Sequence, residues 1–252
     1  MLFQRKKTLL GSALLALCAC GSDGGGSVAP PSPNSPAVPT PPTGGPGTTP
    51  PPPSTPNPPP ADPMVPAAMV ASNWEIGPIV DGRNYSRGMP LNPTQTPDGW
   101  AFDFPLDTGT VGYVTLRHGS LANKAHILMR YRIEMDPGVV IHPLCCAQLP
   151  SIGPTLYFQQ QGDDWQTDGK RWWATFARVT PIEAGEFEVD IPLNGAWTSV
   201  QTMTAASNPQ QFANAKANAD RIGFTFGGGD GYGHGVYATG RARFVLTSFK
   251  VE

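Results

Sequence analysis

Charge is scarce in this chain: only 14% of its 252 residues are Asp, Glu, Lys or Arg, and past residue 7 no basic block occurs. Nucleic acids and anionic membrane surfaces call for such blocks, so neither is implied as a partner. Long apolar runs are missing as well. The strongest, "TLLGSALLALCAC" at residues 8–20, is too short to cross a membrane as a helix. Cysteine is rare, at four residues, and none pairs with a histidine at a spacing that suggests nucleophilic catalysis. The glycine-rich stretch at 227–237 lacks the lysine of a phosphate-binding P-loop, and no nucleophile elbow or other cofactor fingerprint occurs. No cofactor is therefore expected. The regular strand–helix alternation of a parallel sheet is also absent.

What is present begins with a leader. Arg5, Lys6 and Lys7 precede the short apolar run and its small residues, the pattern of a secretory signal. Its end, Leu17-Cys18-Ala19-Cys20, resembles a bacterial lipobox. The small Ala19 favours Cys20 over Cys18 as the lipidated residue, which makes 1–19 the signal peptide. The resemblance implies di- or triacyl anchoring, and several chains hold a protein firmly where one does not. Gly21 and Ser22 follow, with no Asp directly after the cysteine, which leans towards the outer membrane. If the protein is exported, Cys145 and Cys146 are expected to oxidise to each other.

Residues 20–72 read as an acylated cysteine and a disordered tether. Eighteen of the thirty prolines lie between Pro30 and Pro66, and Asp23 and Asp62 carry the stretch's charge. Such a segment buries too little apolar surface to offset its ordering entropy. At roughly 3.1 Å per residue in polyproline II it reaches up to about 150 Å.

Residues 73–252 suit one domain. They hold all six Trp and all six Tyr, with fourteen Lys and Arg against seventeen Asp and Glu. Segments such as "WAFDFPL", "VGYVTLRH", "AHILMRYRIEM", "GEFEVDIPL" and "ARFVLTSFKV" are short, rich in aromatic and β-branched residues, and bounded by Gly and Pro turns. Only 208–220, "NPQQFANAKANAD", reads as a helix. The fold class is thus all-β: an antiparallel β-sandwich or jelly roll with one short helix.

Two resemblances bear on function. Arg117-His118-Gly119 resembles the histidine phosphatase signature, but that motif ends a parallel strand feeding a helix. "SLANKAH" is too short for the helix, so Arg117 and His118 read as the polar end of a hairpin strand. "NWEIGPIVDG", "GEFEVDIPLNGAWTSV" and "RIGFTFGGGDGYGHGVYATGRARFVLTSFKV" together resemble the jelly-roll carbohydrate-binding modules of the galactose-binding-like superfamily. That resemblance spans 73–252 and implies a ligand-binding sandwich, with a glycan as the expected ligand. Fold alone constrains function weakly.

The candidate residues follow. Trp165, Trp172 and Trp173 surround a charged turn, and flat aromatic rings stack on the apolar faces of sugars. Adjacent Trp172 and Trp173 point to opposite faces of a strand, so one is expected at a second, accessible surface. Asp230, Tyr232 and His234 lie in the loop 227–237, where six glycines in eleven residues let backbone approach a ligand. Glu186, Glu188 and Asp190 alternate along one strand. They form either a catalytic acid face of the jelly-roll endoglucanase type or the solvent face of an ordinary amphipathic strand. A zinc site at His142, Cys145 and Cys146 lacks a nearby fourth ligand, and no metal is expected. The expectation is a membrane-anchored envelope lipoprotein that binds carbohydrate. The alternatives are a jelly-roll polysaccharide-degrading enzyme, or a structural or protein-binding module.

Overall fold

The computed structural model describes residues 66–145, 151–174, 182–200, 203–228 and 233–252. The expected signal peptide, Cys20, most of the Pro-rich stretch, Cys146, Asp230 and Tyr232 lie outside the described residues.

The domain is all-β, as its alternating apolar segments predict. A six-stranded sheet runs in the order β1 (Trp74–Gly77), β6 (Tyr113–Arg117), β13 (Ala219–Gly228), β9 (Ser151–Gln160), β10 (Arg171–Ala174) and β12 (Trp197–Thr198). A five-stranded sheet runs β11 (Gly185–Pro192), β7 (His126–Met135), β15 (Ala242–Val251), β5 (Gly99–Asp103) and β4 (Thr94–Thr96). Two small ribbons pair β14 (Val236–Ala238) with β8 (Ile141–Pro143), and β2 (Ile79–Val80) with β3 (Arg83–Asn84). These pairings are antiparallel.

The two large sheets pack face to face through aromatic side chains. Trp74 of β1 and Trp100 of β5 come from opposite sheets, and their rings are 4.8 Å apart. Phe224 of β13 meets Phe244 of β15 at 5.0 Å. Alternation decides which residues enter this layer: Ile222, Phe224 and Phe226 are fully buried, and their neighbours project from the other face. Each such aromatic pair adds roughly 0.5–1.5 kcal/mol beyond its buried area.

Three expectations need adjusting. The helix α1 spans Pro209–Ala217, shorter than 208–220, because Ala219 already belongs to β13. Its proline sits in the first turn, where a missing N–H costs nothing, and Phe212 packs 5.0 Å from Trp172. Arg117 and His118 do end a strand, but not a hairpin strand. β6 lies between β1 and β13, and the next strand, β7, belongs to the other sheet.

The third adjustment concerns where the domain starts. Residues 67–69 and 71–73 form two short 3-10 turns that pack on the sandwich. The Ala68 carbonyl accepts the indole N–H groups of both Trp74 (2.8 Å) and Trp100 (3.2 Å). Gln95 takes the Ala71 N–H and donates to the Met69 carbonyl, and Ala71 is itself buried. A boundary at residue 72 is therefore too late. Buried indoles need a partner, and this segment supplies it.

Candidate functional site

The outer face of the six-stranded sheet carries an aromatic cluster separate from the core. Tyr113 of β6, Tyr157 of β9 and Trp173 of β10 form it, with Trp165 and Val200 packed against them. Register explains the grouping. Thr115 and Tyr157 both pair with Gly223 of β13, and Trp173 pairs with Tyr157, so these residues alternate with the core residues and project from the opposite side.

Trp172 and Trp173 divide as their adjacency predicts. Trp172 enters the core, fully buried, beside Phe212. Trp173 enters the second cluster, yet only 4% of it is exposed. The expectation that one of the pair reaches an accessible surface is not met, because Tyr113, Tyr157 and Trp165 pack around Trp173 on the outer face. The half-buried Trp165, borne on the loop between β9 and β10, is the ring that stays in reach of solvent.

Trp165 is held from several sides. Its backbone has φ +65°, a conformation a bulky residue adopts only where its surroundings impose it. Asp163 Oδ1 accepts the Trp165 N–H at 3.0 Å, and the Trp165 carbonyl accepts from Arg171 Nη2 at 2.9 Å. The Arg171 guanidinium carbon lies 4.5 Å from the centre of the Trp165 ring. Tyr113 meets that ring edge-on at 5.1 Å.

Beneath the loop runs a buried polar network. Arg171 Nε is 3.0 Å from Asp163 Oδ2, with the Asp163 side chain fully buried and that of Arg171 nearly so. The approach is off the angle of a hydrogen bond, so the attraction there is mainly coulombic. Gln159 Nε2 donates to the same Asp163 oxygen at 2.8 Å, while Gln159 Oε1 has no partner among the described residues. Thr115 and Tyr157 share a short hydroxyl contact, and Thr225 Oγ1, on the same face, is buried without a partner among the described residues. Burial pushes the Tyr113 hydroxyl far above the usual tyrosine range, with Arg171 pulling the other way. Burial does the same to Tyr157, against the opposing contact with Thr115.

Two open clefts flank this region and share Arg221. One, of about 320 Å³, lies between the β2–β3 ribbon and the β9–β10 loop; Asp81, Gln159, Asp163, Asp164, Trp165 and Asp220 line it. The other, of about 430 Å³, is lined by Asn73, Glu75, Asn92, Arg117 and their neighbours. Arg221 Nη1 lies 3.8 Å from Glu75 Oε1 where the two meet. Asp164 is solvent-exposed and accepts from the N–H groups of Gln166 and Thr167 and from the Thr167 hydroxyl. These donors hold its carboxyl down at about 2.

The glycine-rich loop 227–237 reaches the same face through its described end. Gly233 has φ +70°, and a Cβ there would sit 2.1 Å from a Tyr113 ring carbon. Only glycine lets the backbone lie this close to the ring. His234 beside it is exposed. The structure thus brings Trp165, Trp173 and the Gly233–His234 end of the loop together around Tyr113, and leaves Trp172 on the far side of the sheet.

The acidic strand has a different setting. Val189 and Ile191 of β11 are buried in the core, with Phe187 packed against it, while Glu186, Glu188 and Asp190 face solvent. Each acid meets a basic residue of β7: Glu188 and Arg130 at 2.9 Å, Asp190 and His126 at 2.6 Å, Glu186 and Arg132 at 3.8 Å. Among the described residues no group of three or more His, Cys, Asp or Glu is arranged to hold a metal ion. His142 instead packs on Tyr237 across the β8–β14 ribbon, with ring centres 5.7 Å apart. No described helix is long and apolar enough to cross a membrane.

Gln159, Asp163, Arg171 and Tyr113 are site residues that sequence reasoning passed over. Gln159 and Arg171 fall at the polar ends of the strand-like segments "PTLYFQQQ" and "RWWATFARV", Asp163 falls in the charged turn between them, and the one available signal was their closeness to three tryptophans. Comparison with protein-family models, with curated proteins and with solved structures finds no match for this chain.

Proposed function

We propose that this chain is a lipid-anchored protein of the bacterial cell envelope, held by an acylated Cys20 and a Pro-rich tether, whose sandwich domain binds carbohydrate. The binding surface is the outer face of the six-stranded sheet around Trp165. One observation carries the reading. A tryptophan forced into positive φ is clamped by Asp163, Arg171 and Tyr113 at the mouth of a polar cleft, outside the core that would otherwise explain it. A rigid, amphipathic ring beside fixed hydrogen-bonding groups is what sugar recognition requires, since stacking then costs little ordering entropy. The resemblance to carbohydrate-binding modules of the galactose-binding-like superfamily supports the same reading.

The acidic strand supports the binding reading over the enzyme. Its three carboxylates face solvent, each against its own basic partner. Cys145 and Cys146 are assigned to each other as a disulfide of the exported protein. The test is a glycan-array screen of residues 21–252. Binding to at least one glycan, lost in Trp165→Ala, supports the proposal; no binding to any glycan overturns it in favour of a structural envelope module.

A further inference from the structure

We infer that the Trp165 cleft selects a sugar carrying a free ammonium group over neutral and, above all, over acidic sugars. The inference rests on the carbohydrate reading above and specifies the chemistry of its ligand. Its basis is an imbalance of acceptors and donors within the cleft.

Gln159 forms part of the cleft lining, and only 3% of it is exposed. Asp163 takes one of its amide hydrogens and so fixes which end of the amide is oxygen. The remaining Oε1 is buried with no partner among the described residues. An unsatisfied buried acceptor costs free energy until a donor arrives, and the cleft is where a donor can come from. Around it stand three carboxylates, Asp81, Asp164 and Asp220, for which no described cation lies within salt-bridge distance. Asp163 is already neutralised by Arg171.

The cations near the cleft do not restore balance. Arg221 lines it, but Glu75 lies 3.8 Å from its guanidinium. Lys170 places its ammonium on the Gly162 carbonyl at the rim. The cleft is therefore rich in acceptors and net negative. A ligand ammonium satisfies both conditions at once, a hydroxyl satisfies only the first, and a uronate carboxylate is repelled.

The test compares three tetrasaccharides on the full chain in detergent by isothermal titration: β-1,4-linked glucosamine, its N-acetylated counterpart, and a galacturonate. The glucosamine tetramer is expected to bind roughly three- to tenfold tighter than the N-acetylated one, the size that two or three screened ion pairs supply. The galacturonate binds weakest. Raising salt to about 1 M, where the screening length is roughly 3 Å, removes the preference. The double variant Asp81→Asn, Asp220→Asn removes it too, so that the glucosamine and N-acetylated tetramers bind alike. Melting curves confirm that the variant is folded. Failure of the glucosamine tetramer to bind, equal or tighter binding of the galacturonate, or a preference that survives in the double variant overturns the inference. If any of these occurs while another glycan on the array still binds, the carbohydrate reading stands and the charge assignment falls. Silence across the whole array removes both.

Discussion

Arg171 lies over the ring of Trp165, its guanidinium carbon 4.5 Å from the ring centre, while its Nε faces the fully buried Asp163 at 3.0 Å. One cation thus joins the buried network to the ring at the cleft mouth. Asp163 anchors both ends, since it also accepts the Trp165 N–H and the Gln159 amide.

Asp163→Ala therefore leaves Arg171 as a buried charge without its partner. The expected loss is about 3–5 kcal/mol of stability, the usual consequence of breaking such a pair from one side. Urea unfolding at neutral pH measures it. A loss under about 1 kcal/mol would mean that water reaches Arg171.

The start of the domain can be located by truncation. A chain beginning at residue 66 keeps the Ala68 carbonyl for the Trp74 and Trp100 indoles and should melt like the full protein. A chain beginning at residue 73 leaves both indoles without that acceptor, each a loss of roughly 1–3 kcal/mol, and should melt several degrees lower. Equal melting temperatures would show that 66–72 contributes nothing.

Asp164 provides a pH signature. Three donors from Gln166 and Thr167 hold its folded carboxyl at about 2, below the ordinary aspartate range. A depressed carboxylate contributes its stabilisation above the unfolded value and loses it as pH falls through the folded one. The β9–β10 loop should thus keep its local structure down to about pH 4 and lose this support between about 4 and 2. Carboxyl-carbon NMR of Asp164 checks it; a midpoint near the ordinary value would deny the loop hydrogen bonds.

The sandwich was legible because its signals are local. Alternation in "GEFEVDIP" places Val189 and Ile191 in the core and the acids in solvent without any long-range information. The same logic sent Trp172 and Trp173 to opposite faces. It could not say which face each would take, nor that Trp173 would be covered, since that depends on pairing with Tyr157 and on a loop folding back. Short strands such as β8, β12 and β14 carry too few residues to show a period. The network of Gln159, Asp163 and Arg171 was hidden for a different reason. In sequence Gln159 ends one strand-like segment, Arg171 opens the next and Asp163 lies in the turn between, and only tertiary contact buries their side chains together.

Ligand binding around Trp165 on the outer face of the six-stranded sheet is measured by titrating one responsive glycan into the wild type and Trp165→Ala. Trp165→Ala is expected to weaken binding by roughly 1–3 kcal/mol, the size of a binding hot spot, with the fold intact. Glu188→Gln on the opposite sheet serves as the control and should leave affinity unchanged, since its exposed pair with Arg130 faces water. A Trp165→Ala protein that is folded and binds as tightly as the wild type would show that the ligand does not bind around Trp165.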